Sequence, residues 1–384
     1  MQNKWFRDQL TSAYKIKTKL VGVEANESQV RILNRIVSWS SSAIEYEADP
    51  RHAEIVMKLV NDNRVSRITG SKSGVNRDDS RELTSSECTK YRAATARCNF
   101  LAIGRPDIQF AAKEVSRFMS SPRECDWEDV YKIARYLKGT SRLKHRFAVS
   151  GATNRVDVYG DSDWAGDPIT RKSTSGVVIY YSDNSVKTYS RNQKTLATSS
   201  GEAELYAIVS GASEGIGVQS ILAHYGVDVD ASVHVYTDSS AAIGITKRYG
   251  NGRIRHLQTQ FLWIQNSVAD SRVVFHKVGG SVNPVDLMTK YLGGDSIADN
   301  VFRLRLVLGD SRPANALSLQ SIRFCNKHND EEPHGRFSGP KSSLHDVIWS
   351  CWMCGTGALG QPTCNIRSPP TSAFGLKSVM RPSG

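Results

Sequence analysis

Four acidic residues stand where the chain passes from one predicted element to the next. Asp161 and Asp238 each directly follow a predicted strand, Glu204 falls in the first turns of a predicted helix, and Asp286 opens another helix. Any one of them has an ordinary structural explanation as a turn residue, a helix cap or a solvated helix residue. Together they offer the converging carboxylate oxygens that hard divalent cations require.

The chemistry that such a group favours is metal-assisted hydrolysis of a phosphodiester. Two cations held about 4 Å apart can activate a water for attack and neutralise the leaving oxygen, and they need oxygen ligands rather than His or Cys. Four carboxylates crowded without cations would repel one another, which raises some of their pKa values. We therefore expect the four acids to be catalytic ligands of two Mg²⁺ ions, or of two Mn²⁺ ions.

Apolar periodicity predicts the elements that must bring these acids together. The predicted strands are 156–158, 177–180, 186–189, 233–236 and 273–276, the second and third forming a hairpin that turns at Asp183-Asn184. The predicted helices are 201–225, one opened by Ser239, 257–268, and one after Asn283-Pro284. Strands interleaved with helices after a leading hairpin imply an α/β fold with a mixed sheet flanked by helices.

The chain before this sheet is predicted to be mainly helical. Residues 29–60 show helical periodicity, with Ile32, Leu33, Ile36 and Val37 on one side and a break at Pro50. Two further helical patterns lie within 91–143, after a polar, turn-rich stretch that predicts a linker. Beyond about residue 310 the periodicity is lost, which predicts a mostly disordered tail. The predicted regions are 1–60, a linker at 61–89, a helical segment at 90–150, the mixed-sheet domain at 151–295 and an extension at 296–384.

The charge balance favours a polyanionic partner. The formal net charge is +12, and clustered Lys and Arg gain binding free energy by releasing counterions from a phosphate backbone. The candidate nucleic-acid-binding residues are Arg171 and Lys172 after the first acid, and Lys247, Arg248, Arg253, Arg255 and His256 after the third. For any single one of them, a solvated basic surface is an equally good explanation.

Cysteine usage and apolar runs indicate the compartment. The seven cysteines form an odd number without the spacing of a disulfide framework, which favours an intracellular reducing compartment, either cytoplasm or nucleus. We find no run suited to a signal peptide or a bilayer span, so we expect no membrane partner. Trp164, beside the first acid, is predicted to be a packing residue rather than a platform for bases.

Five ordered blocks around the acids resemble the ribonuclease H domain of copia-type retrotransposon polyproteins. The blocks are YGDSDWAGD (159–167), RKSTSG (171–176), QKTLATSSGEAELYA (193–207), YTDSSAAI (236–243) and NPVDLMTK (283–290). Five blocks in this order are far more specific than one short motif. The resemblance implies a ribonuclease H-like fold that cleaves the RNA strand of RNA–DNA hybrids, with its four metal-binding acids at Asp161, Glu204, Asp238 and Asp286.

Two neighbouring carboxylates offer alternative assignments. Asp163 lies two residues after Asp161, and Glu202 lies two residues before Glu204. Asp161 is preferred because it follows the predicted strand immediately. Glu204 is preferred because Glu-Leu-Tyr-Ala at 204–207 is similar to the helix pattern of ribonucleases H in general.

The resemblance extends upstream. GRPDIQFAAKEVSRFMSSP (104–122) and YKIARYLKGT (131–140) resemble the segment that joins reverse transcriptase to ribonuclease H, and 20–60 resembles the end of the reverse transcriptase. The paired-aspartate hairpin of the polymerase is missing. The resemblance thus implies the C-terminal piece of a polyprotein that does not polymerise, with an RNA–DNA hybrid and the rest of such a polyprotein as partners. Two alternatives stay open: an inactive retroelement remnant, and a nucleic-acid-binding module whose acids hold metal only for structure.

Overall fold

The computed structural model describes residues 2–19, 21–22, 27–71, 77–149, 153–252, 256 and 261–309. The prediction of a disordered tail beyond residue 310 lies outside this range. The helices are α1 (Gln2–Ala13), α2 (Pro50–Val60), α3 (Ser85–Ala102), α4 (Gln109–Ser116), α5 (Glu124–Gly139), α6 (Ser200–His224), α7 (Ser240–Thr246), α8 (Trp263–Ala269), α9 (Asp286–Thr289) and α10 (Gly294–Arg303). The strands are β1 (Gln29–Ile32), β2 (Arg35–Trp39), β3 (Ala43–Glu47), β4 (Leu143–Ala148), β5 (Val156–Asp163), β6 (Thr174–Tyr181), β7 (Asn184–Asn192), β8 (Val233–Thr237), β9 (Val273–Lys277) and β10 (Leu306–Leu308).

Residues 156–277 contribute a five-stranded sheet in the order β7-β6-β5-β8-β9, which we call the C-terminal sheet. Its first three strands are antiparallel, whereas β8 runs parallel to both β5 and β9. This confirms the predicted mixed sheet. The β6–β7 hairpin turns at Ser182 and Asp183, whose φ values of 50° and 63° suit a tight two-residue loop. The turn therefore lies one residue before the predicted position.

The long helix α6 covers one face of the C-terminal sheet at close range. Ser199 caps its N-terminus by accepting a hydrogen bond from the backbone of Glu202. A Cβ atom added at Gly211 or Gly215 would lie 2.9 Å or 2.6 Å from Val158 of β5. The two glycines thus let the helix approach the central strand, and the helix carries Glu204 to the edge of the sheet.

Four strands that precede residue 150, together with β10, form a second sheet in the order β1-β2-β3-β4-β10, which we call the N-terminal sheet. The prediction of helix from residue 29 was wrong up to Glu47, where β1, β2 and β3 form a meander, and α2 begins only at Pro50. Leu33, at 82% exposure, and Asn34 form a turn with φ values of 47° and 62°. Apolar residues on both sides of this turn imitate helical spacing, while β-branched Ile and Val favour strands.

The helices before residue 140 share one apolar core with the C-terminal sheet. This core joins α2, α3, α4 and α5 to Val178 of β6, Met288 of α9 and Leu304 after α10. The stretch predicted as a linker packs on the same side, since Gly70 lies against the ring of Tyr291 and Ser66 donates a backbone hydrogen bond to Arg135. The fold therefore holds the upstream helices against β6, which pairs with the strand of Asp161, and against α9, which carries Asp286.

Two further predictions concern cysteines and membranes. Cys88, Cys98 and Cys125 carry free thiols. Among the described residues, no helix has both the length and the apolar character needed to cross a bilayer.

Candidate active site

Three of the four predicted acids meet at one edge of the C-terminal sheet. Asp161 lies within β5, Asp238 directly follows β8, and Glu204 lies in the first turns of α6. Because β5 and β8 are parallel neighbours, their carboxyl ends reach the same edge. Carboxylate oxygens of Asp161, Glu204 and Asp238 lie within 4.8 Å of one another. We call these three residues the acidic cluster.

The strand β5 is longer than expected, which changes the local setting of Asp161. The sequence predicted that Asp161 comes after the strand, but β5 continues to Asp163 because it pairs with β6 as far as Thr174. Asp161 is buried, and its Oδ2 accepts a hydrogen bond of 2.6 Å from the Thr289 hydroxyl. This bond links the strand to α9.

Burial and mutual repulsion perturb two of the three carboxyls. Burial, then the charges of Asp161 and Asp238, raise the pKa of Glu204 to about 9. Burial, with Asp286 and Asp238 adding to it against the Thr289 hydrogen bond, raises the pKa of Asp161 to about 6. Glu204 Oε1 accepts the Ser162 backbone N–H at 3.3 Å, whereas its Oε2 is buried without a hydrogen-bond partner. A cation would satisfy this oxygen and relieve the repulsion.

The fourth predicted acid lies beside the acidic cluster and has a cationic partner. Asp286 opens α9, and its carboxylate is not among the three that lie within 4.8 Å of one another. Its Oδ1 is 2.9 Å from Nζ of Lys290, one helical turn later. Burial opposes the charged form of Lys290, but Asp286, Asp161 and Asp238 raise its pKa. The i,i+4 spacing in NPVDLMTK was the signal for this pair, which the sequence analysis missed.

The alternative carboxylates have other roles. The Asp163 carboxylate accepts the backbone N–H of Thr174, and Glu202 accepts hydrogen bonds from Thr198 and from the Tyr206 hydroxyl. Neither belongs to the acidic cluster. The geometry thus favours Asp161 and Glu204 over their neighbours as cation ligands.

The predicted basic contacts are placed in several different settings. Lys247 is exposed, and Arg248 donates to the Asn251 carbonyl at 2.7 Å, inside its own loop. His256 is half-exposed, with Nε2 3.1 Å from Oε2 of the buried Glu202, so it also has a structural partner. Arg171 is exposed in the loop between β5 and β6, and Lys172 is partly buried there. Arg253 and Arg255 lie outside the described residues.

Trp164 is more exposed than the sequence analysis predicted. Its side chain keeps 54% of its surface exposed, and its indole N–H donates to the Ala197 carbonyl at 3.2 Å. The packing prediction was wrong because the chain turns outward at the end of β5, where Ala165 has a φ of 53°. An exposed indole therefore directly follows β5, three residues after Asp161 and in the same loop as Arg171 and Lys172.

Relatives of this chain are polyproteins of transposons, although no family model matches it. The chain is 34% identical over 187 residues to the retrovirus-related Pol polyprotein from transposon TNT 1-94 of Nicotiana tabacum, covering 48% of this chain and 14% of that protein. It is 30% identical over 208 residues to the polyprotein from transposon RE1 of Arabidopsis thaliana, covering 53% of this chain and 14% of that one. Its homologues are thus retrovirus-related Pol polyproteins of plant transposons. This confirms the family resemblance, and it shows that the chain spans a small part of each relative.

A solved structure gives a further likeness. The N-terminal ribonuclease H domain of Rv2228c from Mycobacterium tuberculosis, fused to maltose-binding protein, matches with a TM-score of 0.28 at 13% identity, covering 38% of this chain and 96% of that chain. The ribonuclease H-like fold itself follows from the order and directions of the C-terminal sheet, with α6 across it.

Proposed function

We propose that this chain is a ribonuclease H that uses two divalent cations to cut the RNA strand of RNA–DNA hybrids for a retrotransposon. The acidic cluster is the single observation that carries this proposal. Three carboxylates from separate elements converge, one of them keeps a buried oxygen without a partner, and burial together with repulsion raises the pKa of two. Such a group suits hard cations better than it suits packing.

The residues present fit Mg²⁺ or Mn²⁺. Asp161, Glu204 and Asp238 would hold the ions, with Asp286 approaching from α9. When bound, the ions would supply an activated water and neutralise charge on the phosphodiester. Thr289 orients Asp161 Oδ2, and the Ser162 N–H orients Glu204 Oε1. Without cations, burial and the charges of Asp161 and Asp238 favour the protonated form of Glu204, and a bound cation would favour release of that proton.

We infer that the hybrid is held through its phosphates rather than its bases. Arg171 is exposed in the β5–β6 loop, and Lys247 is exposed at the C-terminal end of α7, the helix that follows Asp238. Arg253, Arg255 and His256 belong to the same proposal. Such contacts suit an enzyme that acts on any sequence, because phosphate contacts carry no base information. The rest of a Pol polyprotein is a further proposed partner, in the nucleus or cytoplasm.

The decisive experiment is cleavage of an RNA–DNA hybrid labelled on the RNA strand. With Mg²⁺ or Mn²⁺ present, we expect the chain to cut the RNA, and we expect Asp238→Asn to reduce the rate at least about a hundredfold by removing a ligand. The matched control is Asp270→Asn, which changes an exposed acid after α8 and should leave the rate unchanged. Binding of the hybrid without cutting would instead favour an inactive remnant or a binding module.

A further inference from the structure

The loop between β5 and β6, residues 164–173, is wound around one buried carboxylate. Asp167 accepts backbone hydrogen bonds from Ile169 at 3.0 Å and from Thr170 at 3.2 Å, and it also accepts the Thr170 hydroxyl. Its own carbonyl accepts the Arg171 N–H at 2.9 Å. The β5–β6 loop starts three residues after Asp161, so its conformation decides which side chains lie near the acidic cluster.

A helix from the upstream segment reaches this loop with two cationic side chains. Arg117, at the C-terminal end of α4, places Nη1 2.7 Å from Oδ2 of Asp167. Lys113, one turn earlier, donates from Nζ to the Thr174 hydroxyl at 2.6 Å, where the loop enters β6. Two points of the loop are thus tied to a helix that precedes the C-terminal sheet in the chain.

The ion pair of Arg117 and Asp167 is nearly buried, and each of the two residues has further polar partners. The side chains of Arg117 and Asp167 are 11% and 9% exposed. Arg117 Nη2 also donates to Asn192 Oδ1 of β7 at 2.9 Å and pairs with Glu114. Burial acts to raise the pKa of Asp167, but the Thr170 and backbone hydrogen bonds and the Arg117 charge lower it overall. Asp167 therefore stays anionic, and removal of Arg117 leaves a nearly buried carboxylate without its cation.

We propose that Arg117, assisted by Lys113, is a positioning residue that sets the β5–β6 loop for substrate. By fixing the loop, Arg117 and Lys113 hold three of its side chains where the hybrid would pass the acidic cluster. These are Trp164, Arg171 and Lys172. The upstream helical segment then becomes a working part of the nuclease rather than a spacer. The identity of the substrate in this inference rests on the proposed function. The contacts by which Arg117 and Lys113 hold the β5–β6 loop do not depend on that function.

The test uses the full chain with Arg117→Met and the matched control Arg135→Met. Arg135 is similarly buried at 12% and forms a 2.7 Å ion pair with Asp62, away from the β5–β6 loop. For Arg117→Met we expect amide hydrogen exchange within residues 164–172 to rise about tenfold, because the loop opens locally. We expect KM for the hybrid to rise about tenfold while kcat falls less than about threefold, and Arg117→Lys to recover most of the loss.

Two outcomes would refute the proposal that Arg117 positions the β5–β6 loop. One is loop exchange in Arg117→Met that matches the Arg135→Met control, and the other is a loss confined to overall stability with KM unchanged. A wild-type chain that does not cut hybrids would refute the proposed function. The comparison of hydrogen exchange in the two variants would still test whether Arg117 holds the loop in place. Should Arg117→Met fail to fold, Asp167→Asn retains the oxygen that accepts the Ile169 N–H and removes the charge, so it supports the same comparison.

Discussion

Two buried groups of charged residues in this chain are organised in opposite ways. In the upstream segment, Arg105 and Asp107 form an ion pair of 2.7 Å with side chains 3% and 0% exposed. Arg105 also donates to the carbonyl and the hydroxyl of Thr140. In the C-terminal sheet, Glu204 instead faces Asp161 and keeps Oε2 without a hydrogen-bond partner.

The difference separates charges that serve structure from charges that serve chemistry. A buried pair with all its hydrogen bonds made is neutral as a unit, so breaking it harms folding. A buried group of like charges destabilises the fold unless a cation neutralises it. Such a group therefore points to binding of a cation rather than to a structural role. The ion pair lies beside Ile108 of the apolar core that joins α2–α5 to β6, whereas β5, β8 and α6 contribute their buried residues to a second apolar core.

The strongest way to test this comparison is to break the neutral pair. Asp107→Ala should lower the free energy of unfolding by about 3–5 kcal/mol, because Arg105 would be left buried without its counter-ion. Urea denaturation of the full chain measures the loss. The double variant Arg105→Met with Asp107→Leu should recover most of it, since it buries no charge. Equal losses in the single and double variants would contradict this account.

The next prediction concerns how stability depends on pH, through a buried histidine of the N-terminal sheet that lies near Asp107. Burial lowers the pKa of His145 on β4 to about 4, against the attraction of Asp107. The unfolded chain then binds a proton more readily than the folded chain, so stability falls as pH drops through the range from about 6.5 to 4. Between pH 7 and pH 5 this group alone should cost about 2 kcal/mol. Thermal or urea unfolding of His145→Gln should show a smaller loss over that interval, and an identical loss would refute the assignment.

The smallest expected effect concerns Lys290, whose cationic side chain lies beside the acidic cluster. Lys290 partly offsets the charge of Asp286, so Lys290→Met should leave more negative charge for Mg²⁺ to neutralise. We expect the Mg²⁺ concentration that gives half of the thermal stabilisation to fall about two- to fivefold, an effect typical of an exposed ion pair. Lys58→Met, which changes an exposed lysine of α2, is the control. A rise in the required Mg²⁺ would mean that Lys290 supports the site instead.

Local patterns predicted most of the C-terminal sheet. Alternating residues indicated the β6–β7 hairpin, and Ser199 and Ser239 cap α6 and α7. The same method failed at 29–47, because a turn at Leu33 placed apolar residues of two strands at helical spacing. It also missed the contact of Arg117 with Asp167, since neither residue belongs to a periodic pattern that reports on the other. Periodicity describes one element at a time, and such contacts join elements far apart in the chain.

The amino-acid sequence by itself determined which acids were available, in what order of elements they come, and the resemblance to Pol polyproteins. Only the tertiary structure decided that Asp161 and Glu204 meet Asp238, while Asp163 and Glu202 bind neighbouring groups. It also placed Asp286 with Lys290 at the margin. The physical reason is that the direction of a side chain depends on strand register and on helix packing, both set by partners distant in sequence.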